Sequence, residues 1–195
     1  MKKNIYLILL LCACLSINAQ TSKREEGIKF GFKAGINASN FNGDVEDNAM
    51  RYGLHIGLLS EIIINDKISI QPELLYSAQG FKNETPGSFS KSKFDYILLP
   101  VLIKYYAIEK LSIEAGPQVG FLVNSINRDN NGNVDIDDQS VVDFGVNLGL
   151  GYELSGGFFV QGRYNFGITN VNNAANASAF KYTNSVFQLS VGILF

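Results

Sequence analysis

VVDFGVNLGLGYEL, residues Val141–Leu154, alternates almost without a break. Phe144, Val146, Leu148, Leu150 and Tyr152 make one row; Asp143, Gly145, Asn147, Gly149, Gly151 and Glu153 make the other. Successive side chains of a strand point to opposite faces, so the segment has one apolar, uncharged face and one bearing carboxylates, an amide and glycines. At the helical period the same residues would scatter around a cylinder. The segment reads as β.

Working outward, a tight turn follows at Ser155-Gly156-Gly157, then a second alternating run, Phe158–Thr169. The pattern extends over the chain as eight segments: Lys29–Asn37, Arg51–Ile63, Ile68–Gly80, Phe94–Tyr106, Leu111–Val123, Val141–Leu154, Phe158–Thr169 and Ser185–Phe195. The connections carry independent information. They are short at Asn65-Asp66-Lys67, Ala107 to Lys110 and Ser155-Gly156-Gly157, and long at Ala38–Met50, Phe81–Lys93, Asn124–Ser140 and Asn170–Asn184. Short and long alternate, as the periplasmic turns and external loops of outer-membrane barrels do. An even strand number puts both termini at the short-turn end.

Alternation alone does not say which face is wet, since a soluble lipocalin-like barrel alternates with its apolar face inside. The contents of the faces decide. Ile68, Ile70, Leu74 and Tyr76, then Leu111, Ile113, Val119 and Phe121, then Phe187, Leu189, Val191, Ile193 and Phe195 extend the uncharged row. Lys or Arg at a lipid midplane costs about 2–4 kcal/mol, so an uncharged band suits lipid. Tyr52, Tyr76, Tyr105, Tyr152 and Tyr164 lie on it toward strand ends, as interfacial girdles do. The other face holds Lys33, His55, Glu61, Glu73, Lys104, Glu114, Asp143, Glu153 and Arg163, interleaved with Gly31, Gly35, Gly57, Gly116, Gly120, Gly145, Gly149 and Gly151. An eight-stranded lumen is just wide enough to be filled by side chains, and small residues among paired charges fit it. The expected fold is all-β: an eight-stranded antiparallel up-and-down transmembrane β-barrel with its polar face inside. Pro72, Pro100 and Pro117 fall within strands of a ring that has no edge. Each is expected at a bulge or facing an unpaired carbonyl.

Residues 1–19 read as a signal peptide: Lys2 and Lys3, an apolar run from Ile5 to Leu15, and the exit Asn18-Ala19. The run is too short to span a bilayer as a helix. Leu11-Cys12-Ala13-Cys14 resembles a lipoprotein box, but Leu15 and Ile17 continue the apolar stretch beyond it, which favours simple cleavage. Residues 20–28 read as a flexible periplasmic lead-in and 29–195 as the barrel domain. Cleavage removes both cysteines, and with them disulfides, thiolate metal sites and cysteine nucleophiles. It leaves 14 basic and 18 acidic residues, and nothing that invites nucleic acid. Charged residues are 17% of the chain, against roughly 25% in soluble domains, in keeping with a lipid-facing surface.

Five segments in this order, Gln71 to Phe81 (QPELLYSAQGF), Tyr96 to Tyr106 (YILLPVLIKYY), Glu114 to Gly120 (EAGPQVG), Arg163 to Thr169 (RYNFGIT) and the terminal phenylalanine, resemble the PorT-like outer-membrane β-barrel family of Gram-negative bacteria. The resemblance implies an eight-stranded outer-membrane barrel and leaves the role open; the association of PorT itself with a secretion and gliding apparatus does not transfer on fold alone. The C-terminal strand also resembles the assembly signal read by the outer-membrane insertion machinery, ending in an aromatic residue, although Gly192 departs from the usual pattern.

Chemistry is sparse. His55 is the sole histidine and points inward, but no G-x-S-x-G elbow accompanies it. The inward carboxylates Glu61, Glu73, Glu114, Asp143 and Glu153 have Lys33, Lys104 and Arg163 as partners, and a plugged lumen must pair them. Asp129-Asn130-Asn131-Gly132-Asn133 with Asp135, Asp137 and Asp138 resembles a calcium loop, but its glycine is misplaced and no glutamate closes it. Gly149-x-Gly151 and Gly156-Gly157 lack the strand-to-helix setting of a phosphate loop. No catalytic, cofactor-binding or metal residues are therefore expected, and no cofactor. The expected function is a non-enzymatic outer-membrane barrel acting as a structural or partner-binding module, possible subunit roles in an envelope or secretion complex included. The alternatives are a narrow channel or small-solute transporter and, behind it, an outer-membrane hydrolase. The expected partners are outer-membrane lipid, the insertion machinery and an envelope protein met through the external loops.

Overall fold

The computed structural model describes residues 26–43, 48–85, 88–129, 132–135, 141–169 and 182–195. The signal-peptide reading, Cys14, nearly all of the lead-in and the Val171–Ala179 loop lie outside the described residues. Nine strands follow one another: β1 (Gly27–Gly43), β2 (Asn48–Ile63), β3 (Ile68–Thr85), β4 (Ser88–Ile108), β5 (Leu111–Asp129), β6 (Gly132–Asp135), β7 (Val142–Glu153), β8 (Phe158–Gly167) and β9 (Tyr182–Leu194). Every pairing is antiparallel, and β1 pairs with both β2 and β9, from Gly31 opposite Leu194 to Gly43 opposite Tyr182. That closes the ring. Eight strands form the wall; β6 is a short extra strand on the outer end of β5, Ile126 opposite Asp135.

The wall faces as its alternation predicts. In β7, Phe144, Leu148 and Leu150 are 51–55% exposed, whereas Asp143 and Asn147 are 5% and 1%. The tight connections are built locally. Asn65 Oδ1 accepts from the amides of Lys67 and Ile68 at 2.9 and 3.0 Å, an Asx turn. Gly156 and Gly157 take φ of 76° and 79°, a conformation that side-chain-bearing residues rarely adopt.

Two expectations need correction, and the choice left open for the prolines is decided. The described residues of the connections Ala38–Met50 and Phe81–Lys93 are strand, and β5 runs on to Asp129. Alternation of apolar residues marks the lipid-facing belt, whereas backbone hydrogen bonding needs no apolar partner and carries the hairpins past it. The prolines sit at no bulge. The register is unshifted through each, and the residue pairing lapses on one side: Pro72 against β2, Pro100 against β3, Pro117 against β4. On its other side each is paired, with Val101, Gln118 and Val146. A proline has no N–H to give, so the ladder opens where it would have been received.

The second correction concerns the lumen. β4 is apolar on both faces, and its inward Phe94, Tyr96 and Leu98 join Leu75 of β3 in a buried cluster with Leu122 against it. A smaller cluster, Leu59, Phe159 and Leu194, lies near the short-turn end. The interior is polar in its middle and apolar in two patches.

Candidate functional site

The concentrated chemistry of the described residues is a charge network inside the barrel, centred on Glu73 of β3. Arg163 of β8 grips it with two parallel bonds, Nη1 to Oε2 at 3.0 Å and Nη2 to Oε1 at 2.8 Å. Lys33 of β1 reaches Oε2 at 2.8 Å, and Gln71 donates to Oε1 at 2.6 Å. A bidentate guanidinium–carboxylate pair with further donors is the geometry that offsets desolvation of buried charge. Gln161 relays the network: its oxygen accepts from Lys33 at 2.7 Å and Arg163 at 3.0 Å, and its amide donates to Glu114 at 2.5 Å. Lys104 lies 3.4 Å from Glu61 and 3.8 Å from Glu114. Below them the Tyr106 hydroxyl touches Glu61 at 2.6 Å and Glu153 at 2.9 Å.

Strand geometry explains why these long side chains meet. Their partners stand on strands across the lumen, and glycine leaves the room. A Cβ on Gly151 would lie 2.5 Å from the Glu114 carboxylate, and one on Gly35 would lie 2.6 Å from the His55 ring. Phe159 covers Gly192 in the same way. Gly35, Gly151 and Gly192 are sockets for the neighbours' side chains.

His55 forms a second network. Its Nδ1 is 2.7 Å from Asn37 Oδ1 and its Nε2 is 2.8 Å from Ser190 Oγ. Asn37 spends its amide hydrogens on Ser77 Oγ at 2.9 Å and the Ala78 carbonyl at 3.0 Å, so its oxygen is the acceptor. His55 therefore carries its proton on Nδ1 and accepts from Ser190 on Nε2. Hydroxyl, imidazole and amide stand in the order of a nucleophile, its base and an orienting group. All three are at most 2% exposed, and Asn37 brings no charge to steady an imidazolium.

Of the inward groups named from the sequence, Lys33, Glu61, Glu73, Lys104, Glu114, Glu153 and Arg163 come together, and His55 lies in its own network. Asp143 stands apart, buried near the outer mouth and bonded by Asn184, with Oδ1 unpartnered among the described residues. Sequence reading passed over Asn37, Tyr106, Gln161 and Ser190, whose only signal was an inward position. It also passed over Arg51, which bonds the Gln79 carbonyl beside an interruption in the β2–β3 register. In the calcium-like stretch the backbone of Asp129 pairs with Gly132 and that of Ile126 with Asp135, while Asn130, Asn131, Asp137, Asp138 and the side chains lie outside the described residues. No cluster of three or more potential metal-ligating His, Cys, Asp or Glu occurs among the described residues.

A closed antiparallel ring, apolar outside and charged within, calls for comparison with membrane barrels. The family model for the outer membrane protein β-barrel domain matches residues 18–173. The chain belongs to that family. Its place is the outer membrane, with the uncharged belt in lipid. No curated protein matches. Among solved structures it is similar to Ail, the attachment invasion locus protein of Yersinia pestis, at 14% identity and a TM-score of 0.56, over 88% of this chain and 100% of that one. It is also similar to Neisserial surface protein A, at 15% identity and a TM-score of 0.57, over 87% and 100%. A further match is Ail in complex with the heparin analogue sucrose octasulfate, at 13% identity and a TM-score of 0.53, over 88% and 100%. At these identities the likeness concerns the fold.

Proposed function

We propose that this outer-membrane barrel is a non-enzymatic structural and partner-binding module whose working surface is its external end. The observation that carries the reading is the filled interior. Glu73, Arg163, Lys33, Glu114 and Gln161 are each at most 5% exposed and bridge the lumen, and an apolar cluster fills space beyond them. A water-filled conduit needs a wider ring, roughly 16–18 strands in porins. What remains available is the outer end, where β1 to β5 carry strand structure beyond the belt and loops on a rigid scaffold commonly bind.

Within the family, the five segments quoted above support a place among the PorT-like members, and such a module would serve as a subunit of an envelope or secretion complex. The alternating row that ends at Phe195 supports delivery by the insertion machinery, and the leader supports export with cleavage. The deciding experiment is reconstitution in planar bilayers beside a binding assay on outer membranes. The barrel should be electrically silent, and deleting residues 171–179 together with 130–140 should leave it folded but remove partner crosslinks. Steady ion conductance altered by Arg163→Gln or Lys104→Gln would instead make it a narrow channel.

A further inference from the structure

Asp143 stands outside the lumen network, and that network has no cation to lend it. Among the described residues Lys33, Lys104 and Arg163 stand among four carboxylates, Glu61, Glu73, Glu114 and Glu153. Arg51, buried at the outer end, donates to the Gln79 carbonyl and has Asp95 as its neighbouring charge. What Asp143 does receive is a hydrogen bond from the Asn184 amide of β9. It is 5% exposed, and its Oδ1 has no partner among the described residues.

Asn184 has nothing more to give. An ionised carboxylate only accepts, and Gln79 presents its oxygen, since its own amide donates to Ser77 Oγ at 2.9 Å. Asn184 therefore turns Nδ2 to both Asp143 and Gln79. Its Oδ1, on a residue 3% exposed, is left without a donor among the described residues. Turning the amide over would set oxygen against oxygen twice.

Two buried acceptors without donors thus belong to one bonded pair, and burial of unmet acceptors is costly, most of all for a carboxylate. One added hydrogen bond would serve one oxygen; a positive ion serves both and supplies the counter-charge. We propose that Asp143 and Asn184 bind a small hard cation, sodium or calcium, at the outer end of the lumen. Carboxylate and amide carbonyl oxygens are the ligands such ions take, with water completing the shell. Gly120, the partner of Asp143 across the β5–β7 ladder, keeps the place open. A Cβ there would lie 3.6 Å from Asp143 Cβ and 3.5 Å from the Tyr96 ring, so a longer side chain would crowd the carboxylate. Asp143 and Asn184 stand at the starts of β7 and β9, which re-enter the barrel after long external connections, with β8 between them in the sheet. The ion joins the roots of those two connections at one point.

The test uses the whole protein, purified from outer membranes, treated with chelator and reconstituted in phosphatidylcholine vesicles at mildly alkaline pH, where carboxylates are ionised. Its unfolding temperature is read in N-methylglucamine chloride, whose cation is too large for the site. Sodium or calcium chloride is then titrated in at constant ionic strength. The ion that fits should raise the temperature by about 5–10 °C at roughly a hundredfold excess over its dissociation constant, and the lower midpoint of the two titrations names it. Asp143→Asn keeps the shape and removes the charge. It should lose that rise, yet melt in N-methylglucamine chloride at or above the wild-type temperature, since no charge is left unmet. Asp135→Asn/Asp137→Asn/Asp138→Asn, in the external connection, should keep the rise. A wild type indifferent to both ions would overturn the proposal. So would a rise that survives Asp143→Asn, since it would place the ion elsewhere on the protein.

Discussion

The two flanks of the barrel wall solve the same closure problem differently. β3, β4 and β5 have 18, 21 and 19 residues, hold three prolines and bring the apolar cluster of Leu75, Phe94, Tyr96 and Leu98 to the lumen. β7, β8 and β9 have 12, 10 and 13 residues, no proline, and fill most of their inner face with glycine, amides and charged groups, Phe159 and Leu194 near the short-turn end being apolar. The first flank has an interrupted ladder and compensates by packing; the second keeps an unbroken ladder and contributes hydrogen bonds. The difference teaches that a narrow lumen can be filled by either chemistry, provided the two halves are locked to each other. Glu73 is the lock, joining β3 to β8 through Arg163 and to β1 through Lys33.

The sharpest way to break the comparison is therefore Glu73→Ala. It strands Lys33 and Arg163 without their carboxylate, and the expected loss is about 3–5 kcal/mol in urea unfolding of the vesicle-embedded barrel. A loss below that of a surface substitution would mean that the flanks hold independently. Next comes Leu98→Ala, which opens a cavity in the apolar flank at a cost of about 2–4 kcal/mol. If it proves neutral, the packing compensation assigned to β3–β5 is mistaken. On the polar flank, Gly151→Ala drives a methyl into the space of the Glu114 carboxylate. About 1–3 kcal/mol of destabilisation is expected, from overpacking. Relief by a second change that shortens the side chain, Glu114→Ser, would show that the socket is the reason. Smallest is Pro117→Ala, below about 1 kcal/mol, since the ladder already lapses beside it. Hydrogen exchange should find the amides around Val101 faster than those around Gly149 in the wild type. Equal protection on both flanks would remove the distinction between open and unbroken ladders.

How much of this could be read in advance differs by residue. Asp143 to Glu153 declared strand, facing and neighbours in one line, because a period of two is visible wherever one face is uncharged. β4 did not. In YILLPVLIKYY both rows are apolar up to Lys104, so that single lysine, six residues beyond Leu98 and eight beyond Tyr96, was all that told these two, which turn inward, from Ile97 and Leu99, which turn outward. His55 could be placed inside, but not beside Asn37 and Ser190. Its partners are 18 and 135 residues away, and Gly35 had to lie between them to let the ring across.

From the chain alone came the strand-like alternation, the count of eight, the end that carries the short turns, and the face that meets lipid. All of these are local, since each depends on what stands one or two residues away. The tertiary structure decided which charges pair, where the interior turns apolar and how far the hairpins run past the belt. These depend on strand register, and register is set by closure of the whole ring. Shifting any strand by two residues would preserve every alternation in the sequence and exchange every partner in the lumen.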